Sequence, residues 1–180
     1  MRPLPPQCLE VFLQPGEYCF GGRDTRIRTV LGSCVSLTFW HSQLLLGAMC
    51  HYMLPSRDAV HGRHHHTHGQ DGRYADEVMK MMVLKMDGIG TQPKEYEVKL
   101  FGGGNMFPTT HKTGRHVGQR NVEVAKQLVN KYGFTLSAEH FGGAGHRNIV
   151  FDVWNGDVWV KHQDVARSGH VAANLVVVKE

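Results

Sequence analysis

The sequence predicts an α+β fold, a layered arrangement in which two or more helices pack on a β-rich core. Three observations lead there. Short strand-like runs outnumber helical ones, neighbouring runs follow one another without a helical crossover, and two segments, 74–86 and 121–132, repeat their apolar residues at helical spacing.

Taken in order, residues 8–13 (CLEVFL) and 27–31 (IRTVL) read as short strands. Residues 34–40 (CVSLTFW) alternate apolar with small polar side chains, as a half-buried strand does, and 44–54 (LLLGAMCHYML) give a fourth strand ended by Pro55. A polar loop over 55–72 carries the tract HGRHHHTHG. Helix 74–86 places Ala75, Val78, Met79, Met82, Val83 and Met86 at helical spacing, which makes the methionines core rather than a binding stripe, and Gly88 and Gly90 suit its end. Residues 96–101 (YEVKLF) run as a strand into Gly102-Gly103-Gly104. Helix 121–132 sets Val122, Ala125, Leu128 and Val129 on one face and stops at Gly133. Residues 135–141 (TLSAEHF) are strand-like, and two alternating runs flank Asn155-Gly156, a strong hairpin signal.

Length and composition bound the function classes. A chain of 180 residues with 41% hydrophobic and 20% charged residues is expected to be one soluble domain, 1–180. The net charge of +4 comes from scattered lysines and arginines, so no nucleic-acid partner is expected. No window of about 18 apolar residues and no leader-like N-terminus occur, so a cytoplasmic protein without membrane insertion is expected. Cys8, Cys19, Cys34 and Cys50 form no C-x-x-C pair, which argues against a zinc knuckle or a redox dithiol. The histidines His61, His64, His65, His66 and His68 have no acid or cysteine interleaved and read as a solvated loop rather than a metal site. The GGGN at 102–105 lacks the Lys-Ser/Thr of a phosphate loop.

The stretch VLGSCVSLTFW carries the chemistry. A Gly-Ser step inside an apolar run breaks the strand just before Cys34, which suits a sulfur projected from a sheet end beside free backbone N–H groups. His51 ends the next strand, seventeen residues on, and a meander would bring the two side chains together as a thiolate–imidazolium pair. Spacing alone leaves open the plainer reading of a small core cysteine and an incidental histidine. Ser33 lacks the G-x-S-x-G elbow of a serine nucleophile and reads as turn support, and Cys50 faces the other way along its strand.

At these residues the chain resembles the chemoreceptor glutamine deamidase family, CheD. The resemblance rests on LGSCV (31–35), GAMCHYMLP (47–55), GGGNMF (102–107), VGQRNVE (117–123) and SAEHFGG (137–143), in family order. It implies a Cys-His-Thr hydrolase that converts glutamines of methyl-accepting chemotaxis receptors to glutamate through a Cys thioester, with no metal or organic cofactor. It makes Cys34 the nucleophile and His51 the base, with Gly32 and Ser33 shaping the oxyanion turn. In some members the threonine stands six residues before the cysteine, where this chain has Arg28; Thr29, five before, is taken as the third member. The family has also been linked to hydrolysis of receptor glutamyl methyl esters and to docking with CheC-type phosphatases, so an adaptor with weak or no catalysis is the alternative. A general cysteine amidase or protease is a more distant one.

Overall fold

The computed structural model describes residues 5–58, 69–106, 116–165 and 171–178. Its strands are β1 (Leu9–Phe12), β2 (Tyr18–Gly21), β3 (Thr25–Leu31), β4 (Val35–His41), β5 (Leu46–Cys50), β6 (Glu97–Gly102), β7 (Thr135–Phe141), β8 (His146–Asp152), β9 (Asp157–Val165) and β10 (Val171–Val178). Helix α1 (Ala75–Ile89) lies between β5 and β6, and α2 (Val117–Lys131) between β6 and β7. The strands form two sheets, in the orders β1-β3-β8-β9-β10 and β2-β5-β4-β6-β7. Pairs β1–β3 and β6–β7 are parallel and the others antiparallel. The class is α+β, as the runs of adjacent strands predict.

Burial defines three layers. Ile27, Leu31, Ile149, Phe151, Val158 and Val160 of the first sheet pack against Met49 and Phe101 of the second. On its other side the second sheet presents Val35, Leu37, Phe39, Cys50, Val98 and Leu100 to Val78, Met79, Met82 and Met86 of α1 and to Val122, Ala125 and Val129 of α2. The second sheet is therefore sandwiched, and β4 is buried along nearly its whole length. This corrects the half-buried reading of residues 34–40: Ser36 and Thr38 face the first sheet rather than solvent. Small side chains suit that face because two sheets pack only about 10 Å apart.

The predicted helices are both present, with shifted ends. The first runs on to Ile89 before Gly90 takes a left-handed conformation (φ 85°). The second starts four residues earlier than its apolar period, because His116 caps it by accepting from the Gln119 N–H and Gly118 packs on the Gly103–Gly104 backbone. Asn155-Gly156 closes a β8–β9 hairpin, as the last two residues of a four-residue connection. Strands β2 and β10 lie outside the predicted set; at four residues, β2 is too short to show a period.

Candidate active site

The Gly-Ser-Cys step is a crossing between layers. Leu31 ends β3 in the first sheet and Val35 opens β4 in the second, so Gly32, Ser33 and Cys34 carry the chain from one sheet to the other. The expected sheet end is there, but β3 and β4 are not neighbours in one sheet. Three successive carbonyls of this turn are tied down. The Gly104 N–H donates to the Gly32 carbonyl (2.8 Å), the Asn121 side-chain amide to that of Ser33 (3.1 Å), and the Gly103 N–H to that of Cys34 (2.8 Å). A trans peptide holds its N–H opposite its C=O. The N–H groups of Ser33 and Cys34 are therefore turned away from the β6–α2 segment that binds the carbonyls. Gly102 is required here: its φ is +112°, and a Cβ would strike the Cys34 carbonyl oxygen.

His51 follows β5, and its backbone is fixed on both sides: its N–H donates to the Glu17 carbonyl and its own carbonyl accepts from Gly16 N–H. Thr38 pairs with Met49 and Val35 bridges Tyr52, so in the same register Cys34 lies diagonal to His51 on the face toward the first sheet. From the opposite sheet Thr29, 1% exposed, brings its Oγ1 to 2.7 Å from His51 Nδ1. Thr29 and His51 thus meet between the sheets, one from each, and Cys34 packs on the same inter-sheet side. Arg28 points outward, paired with Glu10 at 2.7 Å on the exposed face.

One hydrogen decides the tautomer. The Thr29 hydroxyl donates to the Leu13 carbonyl (2.9 Å), which cannot itself donate. The hydroxyl oxygen is then left to accept, so Nδ1 carries the imidazole proton and Nε2 the lone pair. Nε2 is buried and meets no hydrogen-bond partner among the described residues, the Cys34 sulfur included.

Electrostatically the pair rests neutral. Burial pushes the Cys34 thiol above its ordinary 9.0, opposed by a hydrogen bond from its own backbone N–H. Burial also lowers the His51 imidazole from 6.5, opposed by the Leu13 backbone and by Glu17. Both shifts disfavour charge, so they run against the expected thiolate–imidazolium pair and favour a thiol beside a neutral imidazole.

A cleft of about 180 Å³ opens beside the turn, lined by Ser33, Gly104, Asn105, Met106, His116 and Gly118 among others. It adjoins a larger one of about 370 Å³ that includes Gly103, Val122, Lys126 and Phe141. Met106, Val117 and Phe141 expose apolar surface around them. A further cleft of about 440 Å³ lies among Arg57, Asp76, Glu77 and Lys80, and none of the three clefts is lined by Thr29, Cys34 or His51. Cys50 is 1% exposed on the helix side of the sheet, with its thiol pushed up to about 12 by burial. The histidines at 61–68 and Phe107 lie outside the described residues. No group of three or more potential metal-ligating His, Cys, Asp or Glu side chains occurs among the described residues. Among them no helix is long and apolar enough to cross a membrane. Sequence reasoning did not single out Asn121 beyond its place in VGQRNVE, and its two carbonyl partners are far from it in the chain.

Residues 53–162 match the family described as CheD chemotactic sensory transduction. The chain is 49% identical to a probable chemoreceptor glutamine deamidase CheD of Pseudomonas savastanoi pv. phaseolicola and 47% identical to that of Pseudomonas fluorescens, each over 86% of this chain and 85% of the relative. A probable chemoreceptor glutamine deamidase CheD 3 of Dechloromonas aromatica is 44% identical over 89% of this chain and 91% of its own. With the family match over more than half of its length and relatives this similar across most of theirs, the chain belongs to the CheD family.

Proposed function

We propose that this protein is a protein-glutamine deamidase, converting glutamine side chains in the cytoplasmic part of chemotaxis receptors to glutamate. The observation that carries the reading is the Thr29–His51 hydrogen bond, which leaves a bare imidazole Nε2 in the space between the sheets where Cys34 also packs.

The geometry gives each residue a task. As the Cys34 sulfur bonds to the glutamine carboxamide carbon, His51 Nε2 takes the thiol proton. The carbonyl oxygen becomes an oxyanion, and the N–H groups of Ser33 and Cys34 stabilise it. The C–N bond breaks as the imidazolium returns its proton to nitrogen, releasing ammonia and leaving a γ-glutamyl thioester. Water then attacks with His51 as base, the C–S bond breaks, and the proton regenerates the thiol. The proton on Nδ1 stays there throughout, donated to Thr29 Oγ1, and fixes the ring.

A glutamine offered from a helix surface would approach at Ser33, which lines the smaller cleft. The family resemblance implies that a helix of a CheC-type phosphatase would occupy the same face. The testing experiment incubates a receptor cytoplasmic fragment with the protein and reads it by intact-mass and peptide mass spectrometry. Each converted glutamine adds about one dalton as NH₂ is replaced by OH. A fragment unchanged in mass at enzyme-equivalent concentrations defeats the reading.

The pH dependence follows from the resting protonation. The rate needs a neutral His51 and a protonated Cys34, so it is flat where both hold. It falls as pH drops through the lowered imidazole value, with an acid midpoint below 6.5, and it falls again at a basic midpoint above 9.0, once no proton is left to deliver to ammonia. A kcat/KM profile from pH 5 to 10 checks this. A narrow bell with an acid limb above 6.5 would contradict the buried, neutral imidazole.

A further inference from the structure

We propose that Asn121 is a positioning residue of this site, whose side-chain amide clips the Cys34 turn to the segment after His51 and, through the Ser33 carbonyl, aims the Cys34 N–H into the reaction space. Near the start of α2, Asn121 is fully buried. Its NH₂ group donates to the Ser33 carbonyl at 3.1 Å and to the Met53 carbonyl at 2.7 Å. One of these carbonyls immediately precedes Cys34 and the other lies two residues after His51. A single nitrogen therefore holds together the two chain segments that carry the thiol and the imidazole.

The choice of side chain follows from this task. Two donors on one neutral nitrogen are offered by asparagine and glutamine alone, and glutamine is a methylene longer. The amide orientation is fixed as well, since a reversed one would set oxygen against two carbonyl oxygens. Its Oδ1 is buried without a hydrogen-bond partner among the described residues. The helix is tethered separately, by the Tyr52 hydroxyl donating to the Asn121 backbone carbonyl at 2.8 Å. With the Ser33 carbonyl turned toward Asn121, planarity of the peptide sends the Cys34 N–H the other way, where it lies by its own sulfur and opposes the burial of the thiolate. An ionisable group that interacts electrostatically with Cys34 is Tyr52, just beyond β5.

The test uses Asn121→Leu, near-isosteric without donors, and Asn121→Ser, whose hydroxyl is too short to span both carbonyls. Two quantities are read: the pH midpoint of Cys34 alkylation by iodoacetamide, followed on the Cys34 peptide, and kcat and KM on a receptor fragment. In either folded variant the alkylation midpoint is expected to move to higher pH and kcat to fall by about 10²–10³-fold, the cost of one misdirected oxyanion donor, with KM little changed. Tyr52→Phe, which loosens the helix but keeps the clip, is expected to lower the melting temperature without moving the midpoint. Asparagine variants that melt lower yet keep the wild-type midpoint and kcat overturn the inference, as does a Tyr52→Phe protein that shifts the midpoint equally. The kinetic arm rests on the deamidase reading; a wild-type protein that leaves the fragment unchanged defeats that reading, and the alkylation arm still decides Asn121.

Discussion

Cys34→Ala is expected to abolish the mass gain on receptor glutamines, lowering the rate by at least about 10⁴-fold, roughly 5.5 kcal/mol in activation free energy, while the protein stays folded and still binds the fragment. The loss is large because the two candidate groups described near the turn, Cys50 and Ser33, are poorly suited to replace the sulfur. Cys50 is on the opposite face of the second sheet with its thiol held near 12, and Ser33 contributes its backbone to the turn. The fold should survive because Cys34 is partly buried at the edge of the inter-sheet cluster, and the turn is held by backbone carbonyls rather than by the thiol. The measurement is peptide mass spectrometry beside a binding isotherm on the same fragment. Residual conversion at more than about a thousandth of the wild-type rate would move the nucleophile elsewhere, Ser33 first.

Part of this site was legible in the sequence, and the boundary has a physical cause. Local signals carried the turn, because Gly-Ser inside an apolar run is a backbone feature that neighbours in the chain reveal. They carried both helices, whose apolar faces repeat every three or four residues, and the β8–β9 hairpin. The layering was not local. That β4 is buried on both faces depends on the first sheet packing over Ser36 and Thr38, and nothing in CVSLTFW distinguishes this from a face open to water.

The choice between Arg28 and Thr29 shows the same limit at one position. A six-residue count pointed to an arginine, but alternation along β3 sends Arg28 out to Glu10 and Thr29 in to His51. Strand period fixes that the two differ in face, while which face is inward is set by the sheet partner. Asn121 was harder still. Its partners are 88 and 68 residues away, and a polar residue at a buried helical position gives no sign in the sequence of which carbonyls it will meet.

Removing the base is the second large effect. His51→Gln is expected to cost about 10³–10⁴-fold in kcat/KM, because the thiol then has no acceptor and burial keeps it protonated through neutral pH. Its diagnostic is the pH profile: the acid limb assigned to the imidazole should vanish and the residual rate should rise with pH as thiolate forms. Thr29→Val tests the tautomer that this base requires. It removes the acceptor from Nδ1 and the donor from the Leu13 carbonyl, leaving two buried groups unpaired at a stability cost of about 1–3 kcal/mol. The rate should fall less than for His51→Gln, by about 10–10²-fold, since a neutral hydroxyl orients the ring without stabilising its cation as a carboxylate would. Thr29→Ser keeps the oxygen and should recover most of the rate. A Thr29→Val protein as active as wild type per folded molecule, with the same profile, would show that the hydroxyl serves the Leu13 strand alone, and the assignment of the lone pair to Nε2 would lose its support.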